Sequence, residues 1–162
     1  MNYYDNFYEG LNDNRSLLYR QSDTVSIMNK LLSTLCSEIH NLKNYKINVK
    51  GENNFFLKQY LAPIIEKFEK YNNKIEELIK IKKGFPIYQL GDIENISLIK
   101  TLASIDYKTS TVINNIINEF RILKALITET INNAQKENDY QSINLLSNLL
   151  YDVNSVLLNY EL

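Results

Sequence analysis

The sequence predicts an all-α protein: a four-helix bundle with one long crossover. Apolar residues recur at alternating three- and four-residue steps in four separate stretches, the period of an amphipathic helix. No stretch shows the strict two-residue alternation of a strand. Breakers fall between the stretches, at Gly51, at Gly84 with Pro86, and at Asn138 with Asp139. A chain of 162 residues is one domain by size and long enough to bury a sizeable core.

Residues 1–21 form a polar, Tyr-rich arm (Tyr3, Tyr4, Phe7, Tyr8, Gly10, Tyr19) whose basic residues are Arg15 and Arg20, against Asp5, Glu9 and Asp13. It reads either as a tail or as an aromatic arm that docks on a neighbouring subunit, ahead of a bundle spanning 22–162. Ser22 and Asp23 suit the cap of a first helix, whose apolar face runs Met28, Leu31, Leu35, Ile39, Leu42. Lys50-Gly51-Glu52-Asn53 stops it, with Gly51 suited to a left-handed position. A second helix carries Leu57, Leu61, Ile64, Phe68, Tyr71, Ile75 and Leu78, a heptad-like stripe for antiparallel packing. Pro63 lies within it and removes a backbone bond to the Gln59 carbonyl, so a kink or a restart is expected there.

Gly84 and Pro86 end the second helix. A connection from Phe85 to about Thr109 follows, with a short helix expected over 92–98. The third helix presents Val112, Ile116, Phe120, Leu123, Ile127 and Ile131; after the Asn138-Asp139 break, the fourth presents Ile143, Leu146, Leu150, Val153, Leu157 and Tyr160. Four long helices with a single long crossover between the second and third make a ferritin-like bundle.

Composition narrows the function classes. Hydrophobic residues are 44%, charged residues 23% and the net charge is −1, so no global field draws the chain to nucleic acid or membrane. The abundance of Asn, Ile and Lys reads as coding bias. The lone cysteine, Cys36, sits in an apolar helical pattern and is expected to be a buried, inert thiol. The N-terminus lacks the pattern of a signal peptide, and no apolar run approaches the ~20 residues of a membrane span; a cytoplasmic location follows by default.

The segment Asn44-Tyr45-Lys46-Ile47-Asn48-Val49-Lys50-Gly51-Glu52-Asn53-Asn54-Phe55-Phe56-Leu57-Lys58 resembles the Dps mini-ferritins, DNA-binding proteins from starved cells. In that family a His-Trp pair starts the stretch, a Gly and an Asn-Phe-Phe follow, and a Leu-His closes it. Lys83-Gly84-Phe85-Pro86-Ile87, Leu90-Gly91-Asp92-Ile93 and Lys136-Glu137-Asn138-Asp139 are similar to further family segments, and the resemblance covers residues 28–160. It implies a short helix within the crossover, a hollow homo-dodecamer, iron storage and protection of DNA under stress.

The resemblance also places the family's ferroxidase site, where two imidazoles of one subunit face an Asp-x-x-x-Glu pair of the next. Those positions here are Lys46, Lys58, Asn73 and Glu77. Protonated lysine has no lone pair and repels a metal cation, Asn73 is a weak neutral donor, and Glu77 alone keeps the ligand type that iron needs. An ammonium group in place of the metal, pairing across the dimer with Glu77 or another acid such as Glu66, is one expectation; solvated surface lysines are the other. His40 is expected to be an ordinary surface or interface histidine. Iron uptake in the family passes acidic rings at a three-fold pore. Here Asp139 persists and reads first as a helix cap, while Gln135 and Asn144 are neutral and Glu129 and Glu137 leave some charge nearby.

DNA binding needs clustered Lys or Arg. The best local patch is Lys80, Lys82 and Lys83, which more often complements a helix dipole, so DNA binding is expected to be weak or absent. The expected protein is thus a Dps-like cage with no cofactor and no working ferroxidase, acting as a structural or sequestering shell. Its alternatives are an active iron-oxidising mini-ferritin with an atypical site, and an interaction module that docks on a larger partner through the N-terminal arm.

Overall fold

The first apolar stripe becomes α1 (Asp23–Asn48) in a computed structural model that describes residues 23–161. The Tyr-rich arm and Ser22 lie outside the described residues. All five residues of the α1 stripe are buried. The helix stops at Asn48 because Val49–Lys50 (β1) turns away to pair in parallel with Tyr107–Lys108 (β2), Val49 opposite Tyr107 and Lys50 opposite Lys108. This pair was not expected, and two residues are too few to show a strand period. It clips the end of α1 to the start of the third long helix, and a Lys50–Asp106 ion pair at 2.6 Å lies beside it. Gly51, with φ 104°, takes the left-handed conformation foreseen for it.

The second stripe becomes α2 (Asn54–Ile81). The expected restart at Pro63 does not occur: one helix runs through it. Pro63 and Gln59 are both exposed, so the carbonyl that loses its partner faces solvent. Lys83 then takes φ 61° and the chain leaves through Gly84. There a Cβ would stand 2.6 Å from Val25 Cγ1 and 3.0 Å from Ile79 Cγ2, so glycine is needed for close passage and not for its φ.

The crossover carries α3 (Leu90–Ile96), two residues earlier than expected. It is held by a polar stripe on α1. Asn29 Nδ2 donates to the Phe85 carbonyl at 3.0 Å and Asn29 Oδ1 accepts from Ile87 N at 3.1 Å. Thr34 Oγ1 accepts from Leu98 N at 3.1 Å. Asn41 donates to the Lys100 carbonyl and accepts from Leu102 N, at 2.9 and 3.0 Å. Asn44 donates to the Leu102 and Ala103 carbonyls. These asparagines read as compositional bias; on α1 they satisfy a long irregular backbone that would otherwise lack partners.

α4 (Thr109–Lys136) and α5 (Tyr140–Glu161) complete the bundle. Asn138 makes the turn with φ 56°, and Asp139 Oδ1 accepts from Ser142 N at 3.2 Å, the expected cap. Phe68 of α2 stacks on Phe120 of α4 with ring centroids 5.4 Å apart at the centre of the core. Each fully buried side chain of that kind contributes about 1.5–3 kcal/mol. No helix among the described residues is long and apolar enough to cross a membrane.

Candidate functional site

The four positions singled out in the sequence do not meet within one chain. Lys46 closes α1 and Lys58 opens α2, both half-buried, whereas Asn73 and Glu77 are exposed towards the far end of α2. The helical rise puts Lys58 and Glu77 ~28 Å apart, so only a second copy running the other way brings the lysines to the carboxylate. Among the described residues neither lysine nor Glu77 has an ion-pair partner in its own chain. Glu66 bonds Lys70 one turn along at 2.7 Å, which weakens its case as a partner for the lysines. Ile47, Phe55 and Phe56, beside the two lysines in sequence, are 73%, 62% and 68% exposed. Iron does not fit this donor set: two ammonium groups, an amide and one carboxylate offer a two-metal centre neither charge balance nor enough lone pairs.

A second constellation lies inside the bundle and was missed in the sequence. Glu38 on α1 has no exposed surface, and neither carboxyl oxygen has a hydrogen-bond partner. Asn41 and Tyr45, at the next steps of the same helical stripe, reach Glu119 on α4. Asn41 Nδ2 donates to Glu119 Oε1 at 3.0 Å, and the Tyr45 hydroxyl lies 3.1 and 3.2 Å from the two carboxyl oxygens. Burial, then the charge of Glu119, pushes the Glu38 carboxyl well above the ordinary carboxylate range. Burial pushes Glu119 up to about 7, against the bonds from Tyr45 and Asn41 that favour its charged form. The Tyr45 phenol is raised by burial first and by Glu119 second. The signal was present in the spacing: Leu31, Leu35, Glu38, Leu42 and Val112, Ile116, Glu119, Leu123 each step by four, three and four, so both acids fall in apolar stripes, Glu38 fully buried and Glu119 half-buried.

The remaining candidates are largely engaged in structure. Lys82 pairs with Asp139 at 2.5 Å and lies 3.6 Å from Glu137, and Thr24 bonds Glu137. The basic patch therefore loses its middle member, while Lys80 sits 4.5 Å from the centroid of the Phe85 ring and Lys83 is exposed. Asp139 serves as cap and ion-pair partner at once. Burial alone would raise its pKa, but Lys82 and Ser142 outweigh that and hold it below the usual value. Gln135 and Asn144 are exposed. His40 is exposed. Cys36 is half-buried, not fully buried as expected, and burial first and Glu76 second raise its thiol pKa, which disfavours the reactive thiolate. Among the described residues no group of three or more His, Cys, Asp or Glu is placed to hold a metal ion.

The ferritin-like domain family matches residues 25–156. No curated protein matches the chain by sequence. Among solved structures the chain is similar to Dps from Staphylococcus aureus, with 20% identity, a TM-score of 0.81, and 87% of this chain and 94% of that one covered. It is also similar to a Dps protein from Bacillus brevis, at 17% identity and TM-score 0.80 over 85% of this chain and 92% of that one. A third is the Dps protein from Vibrio cholerae O1, described as a member of a broad superfamily of ferritin-like diiron-carboxylate proteins, at 16% identity and TM-score 0.80 over 85% and 86% of the two chains.

Proposed function

The chain belongs to the ferritin-like family, and from that premise we propose that it forms a closed Dps-type homo-oligomeric shell whose inter-subunit positions carry lysine where iron would be oxidised. The donor set Lys46, Lys58, Asn73 and Glu77 carries this reading. In a two-fold pair each Lys46–Lys58 end faces the Asn73–Glu77 end of its partner, and ammonium–carboxylate contacts bridge the seam without redox chemistry. The exposed apolar side chains Ile47, Phe55 and Phe56 support a face that a second copy covers, since a soluble chain rarely leaves such a cluster bare. The shell then acts by structure or sequestration, in the cytoplasm, with little attraction for DNA.

Light scattering on the purified protein, with iron analysis after aerobic ferrous loading, tests this reading. The expected result is a particle of twelve 19.0 kDa chains that stays essentially free of an iron core. A monomer, or a shell that fills with iron, would overturn it.

A further inference from the structure

We propose that the Tyr-rich segment 1–22 docks on its own subunit and covers a cationic, aromatic patch made by Lys80, Lys83, Phe85 and Tyr88. Lys80 Nζ lies 4.5 Å from the centroid of the Phe85 ring. The Tyr88 hydroxyl donates to Glu76 Oε2 at 2.8 Å, and Glu76 stands one turn before Lys80 on the same face of α2. Lys83 follows in the turn, exposed like Lys80. Phe85 is 45% and Tyr88 68% exposed, more aromatic surface than a soluble chain ordinarily leaves in one place. Neither lysine has an ion-pair partner among the described residues. Glu76 is turned to other groups: its second oxygen accepts from Asn72 Nδ2 at 3.0 Å.

The occupant follows from where the segment joins the bundle and what it carries. The start of α1 sits against the patch: Val25 packs on Gly84, and Asn29 holds the Phe85 carbonyl and Ile87 N. Residues 1–22 therefore join the bundle beside Phe85. The first 14 residues hold Asp5, Glu9 and Asp13 and no Lys or Arg, with Tyr3, Tyr4, Phe7 and Tyr8 among them. Tyr4-Asp5 and Tyr8-Glu9 repeat an aromatic–acid pair four residues apart, the counterpart of lysines set among aromatic rings. The carboxylates meet the two ammonium groups, and the rings cover Phe85 and Tyr88. Reach is not limiting. Glu9 precedes Asp23 by 14 residues, ~21 Å even at helical rise, whereas Glu76 and Lys80 are ~6 Å apart along α2. Asn73 and Glu77 belong to the neighbouring stripe, so patch and seam use different side chains and the docking stands apart from the shell proposed above.

Amide hydrogen exchange on the full-length protein reads the contact, and carbodiimide cross-linking locates it. Residues 1–14 are expected to be protected. Lys80→Glu with Lys83→Glu should speed their exchange about two- to tenfold, the worth of one or two exposed ion pairs. Adding Asp5→Lys and Glu9→Lys to that variant restores the protection, because the charges are exchanged and not removed. Zero-length cross-links from Asp5 or Glu9 to Lys80 or Lys83 are expected within single chains. Exchange of residues 1–14 at the unprotected rate in the wild type, protection that survives the lysine reversal, or the same cross-links found only between chains would overturn the proposal.

Discussion

Raising the pH is expected to weaken the fold through Glu119 and Glu38, and Glu119→Gln should remove part of that effect. The folded-state pKa of Glu119 lies at about 7 against 4.5 for a free carboxyl. Below 4.5 both folded and unfolded chains hold the proton, and the group has no effect on stability. Between 4.5 and about 7 the unfolded chain ionises while the folded chain keeps its proton, so stability falls by up to about 1.4 kcal/mol per pH unit. Above about 7 the penalty is complete, at most about 3 kcal/mol from this residue, and Glu38 acts in the same direction. Asp139 does not blur the window: its pKa is lowered from 3.8, so its contribution is present above that value and lost only in stronger acid. Urea unfolding followed by circular dichroism at pH 5, 6, 7 and 8 measures the slope. Glu119→Gln should flatten the profile in part, and the double change with Glu38→Gln almost wholly. A wild-type stability that is level or rising from pH 5 to 8 would refute the reasoning, as would a slope unchanged in the double variant.

Other perturbations test the fold and the seam. Asn41→Ala strips partners from the Lys100 carbonyl, Leu102 N and Glu119 at once, so chemical denaturation should show a loss of about 2–4 kcal/mol with faster amide exchange at Leu102. Asp139→Ala removes the α5 cap and the partner of Lys82; a loss of roughly 1–2 kcal/mol in thermal unfolding is expected. The triple change Lys46→His, Lys58→His and Asn73→Asp rebuilds the imidazole and carboxylate set beside Glu77, and stopped-flow absorbance should then show ferric products forming where the parent shows none.

Much of the fold was legible because apolar periodicity is a long-range signal. Stripes of five to seven residues located all four long helices, and Asn138 and Asp139 marked the last turn. What escaped was either too short or decided by tertiary contact. The Val49–Lys50 strand pairs only because the crossover returns Tyr107–Lys108 to it. Pro63 was read for its cost, yet it and Gln59 lie on the exposed side of the helix. The candidate site divides in the same way. Lys46, Lys58, Asn73 and Glu77 were found by their likeness to a family frame, and their meaning depends on a second copy of the chain. Glu38 and Glu119 were passed over because the eye follows the apolar members of a stripe. An acid standing where a leucine belongs is a local inconsistency in the pattern. Lys82 looked like part of a basic patch, since sequence proximity to Lys80 and Lys83 does not show that Asp139 comes back to meet it.

Oxygen uptake after ferrous iron is added to the assembled protein most directly tests the claim that lysines have displaced iron from the inter-subunit positions. Uptake no faster than in buffer alone is expected at iron loads of two per subunit, because two ammonium groups cannot hold the metal pair. A rapid, saturating burst of oxygen consumption, unaffected by Lys46→Ala and Lys58→Ala, would contradict it.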